Sequence, residues 1–466
     1  MNILTNIFFI VFSAIAVSYG WGMRGTIIGG EKGAMLPGAL MGLLMALFSG
    51  SEALVSSPWI LAGAGALSMY CGGCMTYGET LHLSMHEANS QTLKKGLIAL
   101  FVKGGIWFGI FGGMISVFIS AIAGFYKLWQ IILFFCLLPI FAFGFYFLLN
   151  HPHNPAENKY PKIYFSIKRK ESWGGLFGIL FEIIIFAFIL KDYSCIAMIF
   201  GSFISGAIGW VIAQIMQIKG KYPNKKGKHL FDKLYRKNQL ETWKLMECTL
   251  GAFGGIGCAV TFILSKPLFA DKFSYLNSFG FHSYISDNKI TYLFAVIYSV
   301  ILCIDSVQYV VKQKDTDSFR KYKKFCTNTE FAIYSIIPLI FGMLGSHLTI
   351  LIVSVPVLIL VLYQELAEKK NKIGKKKPVS NIWGFILISI QIIFILITNF
   401  EFGLYAMFLL YSFAYEGAFF DMKKIEEDTR KLFNGEKTVH AYFNICCVLI
   451  MIMTFLIQGE IICLKM

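Results

Sequence analysis

The chain has 466 residues, of which 56% are hydrophobic and only 15% charged, and it carries a net charge of +15. Soluble globular domains hold about 25% charged residues, so an ordinary soluble fold is excluded. The positive charge is divided among short loops between apolar segments, which positive-inside topology explains without a nucleic-acid partner.

Apolar stretches of roughly 17–25 residues, each able to cross a hydrocarbon core, recur about fourteen times. In chain order they cover 3–21, 34–50, 58–77, 96–123, 129–149, 173–190, 195–217, 245–265, 290–311, 329–345, 347–364, 380–398, 401–420 and 440–462. A bilayer core cannot hydrogen-bond open backbone, so these spans are expected to be helices. Barrel strands would be about 10 residues long with alternating polarity, and no such alternation occurs. The expected fold is all-α, a polytopic integral membrane protein and a single transmembrane domain over 1–466.

The first span, uncharged from Met1 to Phe8 and followed by no convincing cleavage site, reads as a retained helix rather than a signal peptide. Lys and Arg concentrate in the gaps after odd-numbered spans, notably Lys159 to Lys170, Lys219 to Lys244, Lys312 to Lys324, Lys369 to Lys377 and Lys423 to Lys437. The other gaps hold only Lys127, Lys191, Lys266, Lys272, Lys289 and Lys465, and Lys103 lies within a span. This asymmetry places the basic gaps in the cytoplasm and both termini outside, with the protein in the cytoplasmic (plasma) membrane. The basic loop from Lys219 to Lys244 reads as a solvated connector lying on anionic headgroups.

Most of the 43 glycines precede residue 258. They include Gly104-Gly105, Gly112-Gly113, Gly174-Gly175 with Gly178, and Gly251, Gly254, Gly255 and Gly257. Small residues let helix backbones touch, so a tightly packed core is expected over 1–265, with Ile-, Leu- and Phe-rich scaffold helices over 290–466. Seven plus seven spans would also accommodate halves of opposite orientation, as in many secondary transporters. Glu171, Glu241 and Glu330 stand where outward-running helices begin, where a carboxylate complements a helix N-terminus.

Between the first two spans runs Gly20-Trp-Gly-Met-Arg-Gly-Thr-Ile-Ile-Gly-Gly-Glu-Lys-Gly-Ala-Met-Leu-Pro-Gly38. Glycine-rich backbone can turn its N–H groups into an anion-binding nest beside a helix N-terminus. Arg24 adds a planar fork for carboxylate or phosphate. Arg24, Gly29, Gly30, Glu31 and Lys32 are therefore the candidate solute-binding residues, against the alternative of a tight turn anchored by positive charge. It is no nucleotide-binding phosphate loop: Glu31 separates Gly30 from Lys32, Gly33 stands where Ser or Thr belongs, and no strand precedes it.

The third span ends in Cys71-Gly-Gly-Cys74-Met-Thr-Tyr-Gly-Glu79-Thr-Leu-His82-Leu-Ser-Met-His86-Glu87. On a continuous helix Cys71, Cys74, Glu79, His82 and His86 share one side, and two His at i and i+4 have metal-ligand spacing. The glycines argue against a rigid platform, and only His151 and His153 stand near as further ligands, so no metal and no cofactor are expected. Cysteines within spans, such as Cys136, Cys195 and Cys258, are expected to pack as small hydrophobes.

Charged residues within spans are costly and are functional candidates by default. Glu182 and Asp305 are mid-span, Lys103 lies in the fourth span, and Gln214 is a polar companion. A buried carboxylate can exchange a proton near neutral pH, so Glu182 and Asp305 are the candidates for ion coupling; the competing role is structural pairing, for instance with Lys103. These features suit a multipass secondary carrier (a permease) for a small, anionic solute, driven by a gradient. A membrane-embedded transferase or metal-dependent enzyme acting on a lipid-linked substrate, with His82 and His86 at its site, is the alternative, and an assembly subunit a third. The expected partners are the lipid bilayer and a small solute, with an oligomer left open.

Overall fold

A computed structural model describes residues 3–24, 34–51, 53–54, 58–73, 77–85, 90–165, 171–236, 242–273 and Leu449. Among these are ten α-helices, one 3-10 turn and no strand. In order they are α1 (Ile3–Arg24), α2 (Met35–Leu47), α3 (Pro58–Gly73), α4 (Tyr77–Met85), α5 (Ser90–Ile122), α6 (Leu128–Asn150), α7 (Trp173–Ile189), α8 (Tyr193–Lys221), α9 (Asp232–Arg236) and α10 (Thr242–Phe273). Five of them, α1, α5, α6, α8 and α10, are long and apolar enough to cross a membrane; α2, α3 and α7 are apolar but shorter. The first eight expected spans thus fall on helices, except that 58–77 is covered by two, α3 and the start of α4. The six spans from 290 onward, and Asp305 with them, lie outside the described residues.

Glycine sets how these helices meet, because a missing Cβ lets backbones approach within van der Waals contact. A Cβ on Gly38 of α2 would overlap the carbonyl of Gly65 in α3, and one on Gly65 would overlap that of Gly38. Along α5 and α8, Gly104 faces Gly206 and Trp210 while Gly112 faces Met198 and Ser202, so the two run antiparallel. The same sense holds for α8 with α10, through Gly201 against Thr261 and Gly257 against Ser205. It holds again for α10 with α1, through Gly251 against Val17 and Gly255 against Ser13.

This zigzag sorts the charge. The start of α5 with Lys94 and Lys95, the α6–α7 connection and the Lys219–Arg236 segment gather at one end of the bundle, called here the basic end. Two contacts register them: Lys95 lies 5.7 Å over the Tyr164 ring, and the Tyr222 hydroxyl donates to the Met85 carbonyl. Lys127 and Lys191 mark the opposite end, where Tyr126 meets Asp192.

α2 and α5 are the most enclosed helices. Every residue of α2 is buried, whereas α6 turns Leu128, Trp129, Ile132, Ile140, Phe143, Phe147 and Leu148 outward. Such an apolar exterior suits lipid contact. The hairpin of α6 and α7 is held by Gly178 against the Phe141 carbonyl and by the Gly174 N–H donating to Asn150 Oδ1 at 2.7 Å.

Candidate functional site

Three tryptophans far apart in sequence meet inside the bundle toward its basic end. The ring of Trp21 (α1) lies 5.1 Å from that of Trp107 (α5) and 6.1 Å from that of Trp210 (α8); Trp107 and Trp210 are 6.0 Å apart. Phe108 stacks on Trp21. Glycines make the room: a Cβ on Gly72 would overlap the Trp107 indole, and one on Gly104 that of Trp210. Trp107 Nε1 donates to the Met69 carbonyl at 2.9 Å, which fixes α5 against α3.

A layer of buried polar groups lies next to the indoles. Lys103, one turn before Trp107, donates to Thr80 Oγ1 at 2.8 Å and Glu171 Oε1 at 3.0 Å, with the Phe165 ring 4.9 Å away. Both charges are enclosed, at 2% and 0% side-chain exposure. Glu171 also accepts the Phe165 N–H, so it serves Lys103 and its own loop, a more specific role than complementing a helix N-terminus. One turn beyond Trp210, Gln214 donates to Ser84 Oγ at 2.7 Å. Lys244 is no solvated end of a connector: it is buried, donating to the Gly22 carbonyl at 2.8 Å and to Glu247 Oε2 at 2.7 Å. Trp243 Nε1 takes the other Glu247 oxygen.

The start of α2 adjoins this region. Gly20 packs on Pro37 Cα so closely that a Cβ could not be accommodated without a shift. Ala34 and Met35 are buried there with Trp21. Arg24 is the last residue of α1, one turn beyond Gly20; its side chain, and Gly29, Gly30, Glu31 and Lys32, lie outside the described residues.

Cys71 is half-buried on α3 and His82 is exposed on α4, while Cys74 and His86 lie outside the described residues. His153 is buried beside Tyr160 in the α6–α7 connection. Among the described residues no three His, Cys, Asp or Glu side chains converge as metal ligands. Cys195 and Cys258 are buried free thiols in helix–helix contacts, as small hydrophobes are.

Glu182 is buried in α7 at 2% exposure, and neither carboxyl oxygen has a hydrogen-bond partner among the described residues. Lys103 is engaged elsewhere, so the two in-span charges do not pair.

One cluster carries no motif that sequence reading found. Asp192, the N-cap of α8, accepts from Ser120 Oγ, Tyr126 Oη, Ser194 Oγ and the Cys195 N–H. Lys272, past the apolar stretch of α10, donates to Asp192, Ser120 and Ser194 and sits 4.3 Å over the Phe125 ring. Burial alone would raise the Asp192 carboxyl, but the Lys272 charge, with hydrogen bonds from Lys272, Ser194 and Tyr126, holds it below its ordinary value. Burial lowers the Lys272 ammonium against the opposing pull of Asp192. Burial, reinforced by Cys195 and Asp192, pushes the Tyr126 phenol up. The only sequence cue was an Asp directly before an apolar run, the N-cap pattern.

No protein-family model, no curated protein and no solved structure matches the chain.

Proposed function

We propose that the chain is a multipass secondary carrier for a small anionic solute in the plasma membrane, with about fourteen spans and both termini outside. The observation that carries this reading is α2. At 13 residues it is about 20 Å long, shorter than the ~30 Å hydrocarbon core, yet it is buried throughout. Its first turn packs on α1, with Pro37 against Gly20, the residue before Trp21. Buried half-length helices that aim their N-termini at anionic groups are a recurring device of carriers. The Gly-rich segment that leads into α2 and Arg24 at the end of α1 complete the proposed site, with the three indoles as its apolar wall. Gradient coupling falls to Glu182, with Asp305 the second candidate.

An enzyme built on His82 and His86 has less support. His82 is exposed on a nine-residue helix, and no buried acid or thiol among the described residues is held against it.

The test is uptake of a panel of radiolabelled small carboxylates and phosphates by the purified chain in liposomes. Arg24→Lys should impair uptake because an ammonium lacks the two-pronged fork, and Arg24→Ala should abolish it. Full activity in a normally folded Arg24→Ala protein would remove the anion site from this segment.

A further inference from the structure

Glu182 sits where α5, α6 and α7 come together, and its surroundings are unequal on its two sides. Toward the basic end the α6–α7 interface is aromatic: Phe145 packs against Phe177 and Phe181, and Phe141 against Phe181. Toward the opposite end a column of polar groups begins. Gly113 of α5 faces Ile183, the neighbour of Glu182, and the Gly113 carbonyl lies 3.6 Å from Cys195 Sγ. Ser116, three residues beyond Gly113 on α5, is buried, and its hydroxyl has no hydrogen-bond partner among the described residues. Ser120 follows Ser116 by four residues, on the same face of α5, and its hydroxyl donates to Asp192 at 2.7 Å. Tyr126 and Lys272 complete the column at the bundle's end.

We propose that Glu182 is a proton-binding site, loaded from the end opposite the basic one along the column Asp192, Ser120, Ser116 and Cys195, and that the coupling ion is therefore H+. The proton leaves hydronium or water at that end, so only O–H bonds are exchanged. The carboxylate of Glu182 gains the proton and becomes neutral. A hard metal cation would want about six oxygen ligands, whereas neither Glu182 oxygen has a hydrogen-bond partner among the described residues.

Among the described residues no competing charge faces it. α6 has no charged residue and its Cys136 is exposed. On α5, Lys94 and Lys95 are exposed at the basic end and Lys103 is held by Glu171. On α8 the facing titratable group is Cys195, with Lys219 and Lys221 at the far end; Asp192, its N-cap, is paired with Lys272. Use of the proton in transport rests on the carrier reading, but proton binding does not.

The test is infrared titration of the full chain, uniformly oriented in sealed liposomes, with inner and outer pH set separately. A protonated-carboxyl band should appear on acidifying the side that bears Lys191, be unchanged when K+ is replaced by Na+, and be missing in Glu182→Gln. Ser116→Ala should slow its appearance severalfold. As a second measurement that needs no variant, dicyclohexylcarbodiimide, which attacks protonated carboxyls in apolar surroundings, should modify Glu182 in the wild-type chain more at acid than at alkaline pH. The proposal is overturned if the band survives Glu182→Gln, if Na+ abolishes it, if it follows the pH on the basic side, or if carbodiimide modification of Glu182 is absent or independent of pH. Intact titration without uptake of any anion would refute the carrier reading alone; uptake without titration would refute the proton site alone.

Discussion

Replacing Lys272 with methionine keeps the length of its stem and removes the ammonium that Asp192, Ser120 and Ser194 share. Removing one partner of a buried ion pair costs about 3–5 kcal/mol. Here Asp192 would keep the hydrogen bonds from Ser120, Tyr126, Ser194 and the Cys195 N–H, which moves the expectation to about 2–3 kcal/mol. Loss of the cation from the Phe125 face adds about 1 kcal/mol, for a total of about 3–4 kcal/mol. The paired change Lys272→Met with Asp192→Asn removes the orphaned charge as well, so it should be milder than the sum of the single changes by about 2 kcal/mol. Equilibrium unfolding in mixed detergent micelles, followed by the reactivity of the buried Cys195 and Cys258 thiols, measures all three. A loss below about 0.5 kcal/mol for Lys272→Met, the size of an ordinary surface change, would refute the clasp, as would strict additivity.

Three further outcomes follow from the same geometry. Because Asp192 is held below its ordinary carboxylate value of 3.8, its contribution to stability should be present above that value and lost as pH falls through the folded one; Asp192→Asn should flatten the acid limb of the stability profile, and an unchanged limb would assign it to other carboxylates. Gly38→Leu should abolish a monodisperse folded species in size-exclusion chromatography, since its side chain would strike the Gly65 backbone, while Gly144→Leu, with nothing within 4 Å, should be neutral; equal behaviour would deny the α2–α3 contact. Cysteines placed at Lys127 and Lys191 should react with a membrane-impermeant thiol reagent from outside intact cells, and one at Lys225 only after permeabilisation; reaction of all three from one side would break the topology. Lys272 is unsuitable for such labelling, because it belongs to the clasp.

Local chemistry along the chain determined where the helices lie and which loops hold positive charge. A bilayer leaves no backbone donor unpaired and penalises each buried charge, so span length and the place of each lysine are fixed by neighbours in sequence. That is why the expected helices up to residue 265 appear, with ends shifted by up to eight residues, and why Lys127 and Lys191 stand at the end opposite Lys225. Pairing across helices was decided by tertiary structure alone. Glycine contacts set the register between helices, and that register brings Lys103 to Glu171, 68 positions away, and Asp192 to Lys272, 80 positions away. The same register gathers Trp21, Trp107 and Trp210 into one cluster. Lys103 and Glu182 looked alike in sequence, each a single charge within an apolar span. One is neutralised by a partner and the other has no hydrogen-bond partner among the described residues, because partnership depends on which faces of three helices meet, and that information is spread over residues too distant for any local pattern to hold.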